Sequence, residues 1–237
     1  DPGTPMFLDV LALQYLYGKN ETLFADDSEF SLVKNDLYAT IWDPSGNDLI
    51  DQSAATEGWY VEMPDFEPST LVDTKVGLAV PADELSLETP LNLYWLMGDF
   101  ENINGSDFVD TIFGNGFDNL IKGNDGNDLI KAGAGGDWIR GGEGSDTIFG
   151  GANGLPDQWG YVRTDTAGYE GDFERYEISS AFDATLNRSY IEVKDLEIPE
   201  DVDRLYGIEA LSFRDKWLRV GIEVYTWQDW KTNETRG

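Results

Sequence analysis

Between residues 105 and 149 an isoleucine returns every nine positions, and the same small set of polar residues and glycines returns around it. Five units follow without a gap: GSDFVDTIF, GNGFDNLIK, GNDGNDLIK, AGAGGDWIR and GGEGSDTIF. Their eighth places hold Ile112, Ile121, Ile130, Ile139 and Ile148, and their sixth places hold Asp110, Asn119, Asp128, Asp137 and Asp146. Glycine at the first and fourth places permits a tight turn of positive φ, the sixth residue closes it, and three residues of strand follow with one apolar side chain inward. Turn, strand, turn, strand makes one coil. Turns on one edge therefore come from alternate units, which stacks Asp110, Asp128 and Asp146 on a first edge and Asn119 and Asp137 on a second. The seventh and ninth places point away from the coil interior: Thr111, Leu129 and Thr147 with Phe113, Lys131 and Phe149 on one sheet, Leu120 and Trp138 with Lys122 and Arg140 on the other. Their apolar members predict that flanking chain covers both outer faces.

The flanks have other periods. In TPMFLDVLALQYLY, Thr4 stands as an N-cap before Pro5, Gly18 stands where a helix would stop, and Met6, Val10, Leu13 and Tyr17 share one face, read as core. From residue 30 the pattern is β: LYATIW, a D-P-S-G-N-D turn, then LID. Asp43 and Asp48 flank that glycine turn, which reads either as an outlying copy of the nonads supplying cation ligands or as an ordinary surface turn. Pro64, Pro68, Pro81 and Pro90 punctuate irregular strands over residues 53–98. After Gly150 the repeat decays, and Pro156 with the off-register Asp157 is read as its end. RYEISS and RSYIEVKD form a hairpin around DATLN, and ALSFRDKWLRV reads as a further strand. The expected fold is mainly β: an N-terminal helix and β flank over 1–104, a parallel β-roll over 105–157 and a β-rich cap over 158–237.

Charge adds chemistry to this scaffold. The 46 acids against 16 bases give a net charge of −30, which disfavours nucleic acid and anionic membrane as partners and favours cations. The chain has no cysteine and no histidine, so disulfides, thiolate chemistry and the usual zinc ligand are excluded. No run is long enough to span a membrane and no signal peptide opens the chain. Two carboxylates stacked roughly 5 Å apart at an effective dielectric of about 20 repel by on the order of 3 kcal/mol, so each column is expected to hold a cation between its members. Hard oxygen ligands without His or Cys point to Ca²⁺. The candidate ligands are Asp107, Asp110, Asn119, Asp125, Asp128, Asp137 and Asp146, the carbonyls of Gly126, Gly135 and Gly144, and Asp43 and Asp48. Phe108 and Phe117 break the glycine pattern in the first two units, whose turns are expected to bind calcium weakly or not at all.

The nonads match G-G-x-G-x-D-x-U-x, the calcium-binding repeat of RTX proteins. In order and spacing, TPMFLDVLALQYLYG, IWDPSGNDLID and NINGSDFVDTIFGN resemble the C-terminal half of the serralysin-type secreted metalloproteases, over about residues 4 to 150. DTAGYEGDFERYEIS with VDRLYGIEALSFRDKWLRV is similar to the sequence that closes the repeats in many other secreted RTX proteins. The resemblance implies a parallel β-roll with calcium between its turns, a helix docking onto a neighbouring domain, export by a type I secretion system and an extracellular location. The family's zinc motif H-E-x-x-H has no counterpart in a chain without histidine, so no protease residue carries over. Asp1 at one end and KTNETRG at the other, without the family's secretion signal, read as the ends of a piece of a longer polypeptide.

Three functions compete. The leading one is a non-catalytic module that folds on calcium after export and stabilises or docks a neighbouring domain. The second is a carbohydrate-binding or adhesive module, motivated by Trp42, Trp59, Trp95, Trp138, Trp159, Trp217, Trp227 and Trp230, of which the pair in YTWQDW is the expected free contact for polysaccharide. The third, a hydrolase working through paired carboxylates, needs two acids across a sugar-sized cleft, and 46 acids pair by chance at any separation.

Overall fold

A computed structural model describes residues 6–19, 22, 24, 26–65, 75–153 and 162–220, and the backbone of 223–226. The described residues are mainly β, with one α-helix, Phe7–Tyr17. Met6 is its N-cap, and the Met6 N–H donates to the Asp9 carboxylate (3.2 Å). Gly18, at φ 81°, closes the last turn by donating to the Gln14 carbonyl (2.8 Å). Thr4 and Pro5, the expected start, lie outside the described residues. The expected buried face is overturned: Leu13 is 52% and Tyr17 81% exposed, Val10 is half-buried, and Gln14 is the buried member of the helix. Phe7 is its aromatic contact with the sheet, at 5.4 Å from Trp95.

Successive strands of the repeat alternate between two sheets. The nine-stranded sheet runs in the order Glu29–Ser31, Leu49–Asp51, Asn102–Asn104, Leu120–Asp125, Trp138–Glu143, Thr166–Gly168, Ala210–Ser212, Lys216–Arg219 and Glu223–Thr226. The ten-stranded sheet runs Tyr176–Asp183, Arg188–Asp195, Val202–Tyr206, Thr147–Asn153, Leu129–Gly135, Thr111–Phe113, Trp59–Glu62, Val76–Pro81, Leu93–Gly98 and Tyr38–Asp43. Pairing is parallel through the centre of both. Antiparallel pairs close one end of each sheet, while the opposite edge strands, Glu29–Ser31 and Tyr38–Asp43, pair in parallel, and ALSFRDKWLRV proves to be two strands, Ala210–Ser212 against Lys216–Arg219.

The register explains the period. In one sheet Ile50, Ile103, Ile121, Ile139, Ala167 and Leu211 stand side by side, and in the other Val61, Ile112, Ile130, Ile148 and Leu205 do. All eleven are buried and share one core between the sheets. Each fully buried aliphatic side chain contributes about 1.5–3 kcal/mol, and a one-residue slip would send the whole column to solvent. The ladder extends beyond the nonads in both directions. Pro156 and Asp157 lie outside the described residues, but parallel pairing resumes at Thr166, so the repeat does not end there as expected.

Among the described residues no second layer covers the centres of the outer faces. Trp138 is 39% and Leu120 42% exposed, contrary to the expected cover. Phe113 and Phe149 are half-buried, by neighbours on their own face.

Candidate metal centre

Each edge of the two-sheet structure is a column of turn residues joined by one repeated hydrogen bond. On the first edge the N–H of Trp59 donates to Asp110 (2.6 Å), that of Asp110 to Asp128 (2.8 Å), that of Asp128 to Asp146 (2.8 Å) and that of Asp146 to Asp203 (2.9 Å). On the second edge Ser28 donates to Asp48 (2.8 Å), Asp48 to Glu101 (2.8 Å), Asn119 to Asp137 (2.8 Å), Asp137 to Asp165 (3.0 Å) and Asp165 to Glu209 (3.0 Å). The Asn119 side-chain amide donates to the Glu101 carbonyl (3.0 Å) and fills the one remaining step. A backbone N–H thus stands between successive carboxylates, and each acid spends its Oδ1 or Oε2 there. Charge-assisted bonds of this kind are roughly twice as strong as neutral ones.

The other oxygen divides the turns into two kinds. In the first unit Asp110 Oδ2 accepts from the Ser106 N–H (2.6 Å) and hydroxyl (3.0 Å). In the second, Asn119 Oδ1 accepts from the Asn115 N–H (3.2 Å), and its amide donates to Asn115 Oδ1 (3.0 Å). Ser106 and Asn115 also accept from the Phe108 and Phe117 N–H, at 3.2 and 3.0 Å, closing compact turns that need no glycine at the fourth place. In the later units Oδ2 of Asp128, Asp137 and Asp146 is buried with no donor, as are Oδ2 of Asp165, Asp43 and Asp48. A buried, unpaired carboxylate oxygen costs several kcal/mol unless something compensates it.

The backbone of the later turns differs as well. Positive φ falls at the second and fourth places, Asn124 with Gly126, Gly133 with Gly135 and Gly142 with Gly144, rather than at the first and fourth as expected. First-place glycine has a different cause: a Cβ on Gly123 or Gly141 would strike Oδ2 of Asp128 or Asp146. A Cβ on Gly142 would strike the Asn124 carbonyl oxygen and one on Gly144 that of Gly126, so the turns on this edge stack carbonyl oxygens in close approach.

Burial without a counter-charge raises the carboxyls of Asp128 to about 8, Asp137 to about 7 and Asp165 to about 6. Asp110 is also raised by burial. Asp146 is pushed up by burial and by the charge of Asp203, and Asp203 by burial with Asp201 adding to it. In the D-P-S-G-N-D turn Asp43 rises to about 6 through burial and Asp48, which is itself raised by burial; Glu101 rises to about 7, again through burial. Asp43 and Asp48 are wholly buried, although Gly46 and Asn47 at the tip of the turn between them are exposed. Asp107 and Asp125 are exposed and line a cavity of about 390 Å³ on the first edge, together with Glu143, Asp195 and Asp201.

Among the described residues no three His, Cys, Asp or Glu side chains gather into a group that could hold a metal alone. Six to eight oxygens are needed for Ca²⁺, so the backbone carbonyls at the glycine places must complete any site that Asp128, Asp137 and Asp146 begin. The donor set fits: hard oxygens, an unsatisfied carboxylate oxygen in each later turn and raised carboxyls that a cation would bring down. Four rungs escaped sequence reasoning, Glu101, Asp165, Asp203 and Glu209. Each is an acid two residues before an inward apolar residue, Ile103, Ala167, Leu205 and Leu211, a three-residue signal without the nonad glycines.

A family model described as the RTX calcium-binding nonapeptide repeat (4 copies) matches residues 104–139 and 122–153. No curated protein matches the chain. The chain therefore carries an RTX repeat module, and its metal is Ca²⁺.

Proposed function

We propose that the chain is a non-catalytic module of a larger secreted protein: a parallel β-roll of the kind that closes the serralysin-type metalloproteases, folding when calcium fills its turns outside the cell. The observation that carries this reading is the set of buried, donorless oxygens on Asp128, Asp137, Asp146 and Asp165. Bound Ca²⁺ would supply the positive charge these oxygens lack. The chain's part is to hold one oxygen of each carboxylate on the N–H ladder, leaving the other oriented, and to bring the carbonyls of the glycine places beside it. Extracellular modules bind calcium at about 10⁻⁴–10⁻³ M, far too weakly to fill in the cytosol, so the chain stays open for export by a type I system. Repulsion within a net charge of −30 favours that open state.

Docking of a neighbouring domain falls to the helix. Leu8, Leu13, Tyr15, Leu16 and Tyr17 are all exposed, a concentration of apolar side chains that fits a partner domain better than water.

The test is thermal unfolding, followed by circular dichroism in millimolar calcium and in excess chelator. Each site filled at 100 times its Kd adds about 2.7 kcal/mol, or roughly 5–11 °C for a chain of this size. Superimposable melts would overturn the proposal.

A further inference from the structure

Rings and cations alternate across the outer face of the ten-stranded sheet. From strand to strand, Tyr60 lies 5.4 Å from Phe113, and the Lys131 ammonium stands 4.9 Å over the Phe113 ring and 5.8 Å from Phe149. Phe149 stacks on Tyr206 at 4.6 Å, and Tyr206 meets Tyr190 at 5.3 Å. The Arg188 guanidinium lies over Phe149 (5.8 Å) and Tyr206 (5.3 Å), and that of Arg204 over Tyr190 (5.9 Å). Among the described residues no salt bridge involves Lys131, Arg188 or Arg204. Three cations thus share aromatic neighbours on one face of a chain whose acids outnumber its bases 46 to 16. Acids stand at the margin: Asp183, opposite Arg188, accepts from the Tyr206 hydroxyl (2.9 Å), and Glu192 is opposite Arg204. The rings hold the cations in place without neutralising them, so their N–H donors stay available to a ligand.

We propose that this stripe binds an acidic polysaccharide, Lys131, Arg188 and Arg204 taking the carboxylates while the half-buried rings of Tyr60, Phe113, Phe149 and Tyr190 lie against the sugars and Tyr206, itself buried, supports Phe149 from below. Spacing favours a sugar chain. Neighbouring strands are about 4.8 Å apart, roughly the length of one pyranose ring, so a chain laid across the strands meets a new side chain at each sugar. An acidic peptide advances about 3.3 Å per residue and turns alternate side chains away, which falls out of step with the stripe. A uronate chain also carries at most one charge per ring, well below the one per roughly 1.7 Å of duplex DNA, and suffers less from the acidic surroundings. Guanidinium groups suit carboxylates through paired hydrogen bonds. The inference goes beyond the calcium reading and needs from it only a folded sheet.

The experiment is calorimetric titration of the full chain at one fixed free calcium concentration, with its melting temperature recorded on the same sample. Three probes are compared: a hexamer of 1,4-linked glucuronate, cellohexaose, which has hydroxymethyl groups in place of the carboxylates, and hexaglutamate. The glucuronate hexamer is expected to bind, more weakly as salt rises, and at least tenfold tighter than the other two. Lys131→Gln with Arg188→Gln should weaken it at least tenfold at an unchanged melting temperature, and Phe149→Leu should weaken it too. Absence of glucuronate binding, equal binding of cellohexaose, or full affinity in the double variant overturns the proposal, and equal binding of hexaglutamate replaces it with an acidic-peptide surface. A calcium-independent melt with glucuronate binding intact would instead count against the calcium reading alone.

Discussion

The turns at 105–110 and 114–119 close on their own side chains, whereas those at 123–128, 132–137 and 141–146 leave a carboxylate oxygen open, although all five share one period. The difference sits at the second place. The backbone N–H of Ser106 and of Asn115 donates to the sixth residue of its own unit, and the side chain adds a second bond, the Ser106 hydroxyl donating to Asp110 and Asn115 Oδ1 accepting from the Asn119 amide. Gly133 and Gly142 have no side chain with which to do so, and Asn124 turns its amide away to the Gly105 carbonyl (2.6 Å). A turn closed by a side chain is a structural rung that needs nothing further. A turn left open is less stable alone and is completed from outside, so one repeat can build both a fixed start and a metal-dependent continuation.

The largest expected effect is on pH dependence, because the open turns carry the raised carboxyls. An unfolded aspartate titrates near 3.9, while Asp165, Asp137 and Asp128 rise to about 6, 7 and 8 in the folded chain. Between those values the folded state holds more protons than the unfolded one, so metal-free stability falls as pH rises, by about 1.4 kcal/mol per pH unit for each group in its window. In chelator the melting temperature should therefore climb on acidification from pH 8 to pH 5. With calcium present the trend should reverse, since protons compete with the metal for the same oxygens. Parallel curves with and without calcium would show that the open oxygens are not the ligands.

Asparagine substitutions on one edge sharpen the comparison. Asp128→Asn keeps an acceptor for the Asp110 N–H but removes the open oxygen and its charge. Calcium affinity should drop at least tenfold, about 1.4 kcal/mol, while the melt in chelator holds or rises. Asp110→Asn loses instead an acceptor already in use, since Oδ2 receives the Ser106 N–H and hydroxyl. It should cost about 1.5–3 kcal/mol with or without calcium and leave affinity within twofold. Equal affinity losses in calorimetry would erase the distinction between the turns.

Much of this fold was legible because a side chain that must be buried returns at a fixed interval: the isoleucine column set the register, and the register set which acids share an edge. Legibility failed where the constraint was weaker. Glu101 and Glu209 occupy rungs through a longer side chain, and Trp59 stands at the end of the first column through its N–H alone, so no residue type marks these positions. The helix was misread for the opposite reason. FLDVLALQYLY is apolar almost all round, so helical spacing finds a face wherever it is sought, and the face packed against the sheet was chosen by Phe7 and Trp95. Which turns stay open was hidden too. Phe108 and Phe117 flagged the first two units, but the cause lies two residues earlier, in hydrogen bonds from Ser106 and Asn115.

That cause predicts a small gain of function. Ser106→Gly with Phe108→Gly gives the first unit the glycine places of the fifth and removes the hydroxyl that closes Asp110. Phe108 is exposed, so its loss costs little core, and the metal-free chain should lose about 1–2 kcal/mol from the broken bonds and the added backbone freedom. With both glycines the turn is free to take the positive φ of the later units, which swings the residue-106 N–H off Asp110 Oδ2 and leaves that oxygen to face the open turn at 123–128 on the same edge. Calorimetric titration should find one more calcium per chain than in the parent, or a tighter first site if the two turns share the ion. The calcium-loaded melt should recover part of what the metal-free melt lost. Should stoichiometry, affinity and the gap between the two melts all match the parent, the second place does not decide which turns take metal, and the closed units must be distinguished by the strands that flank them.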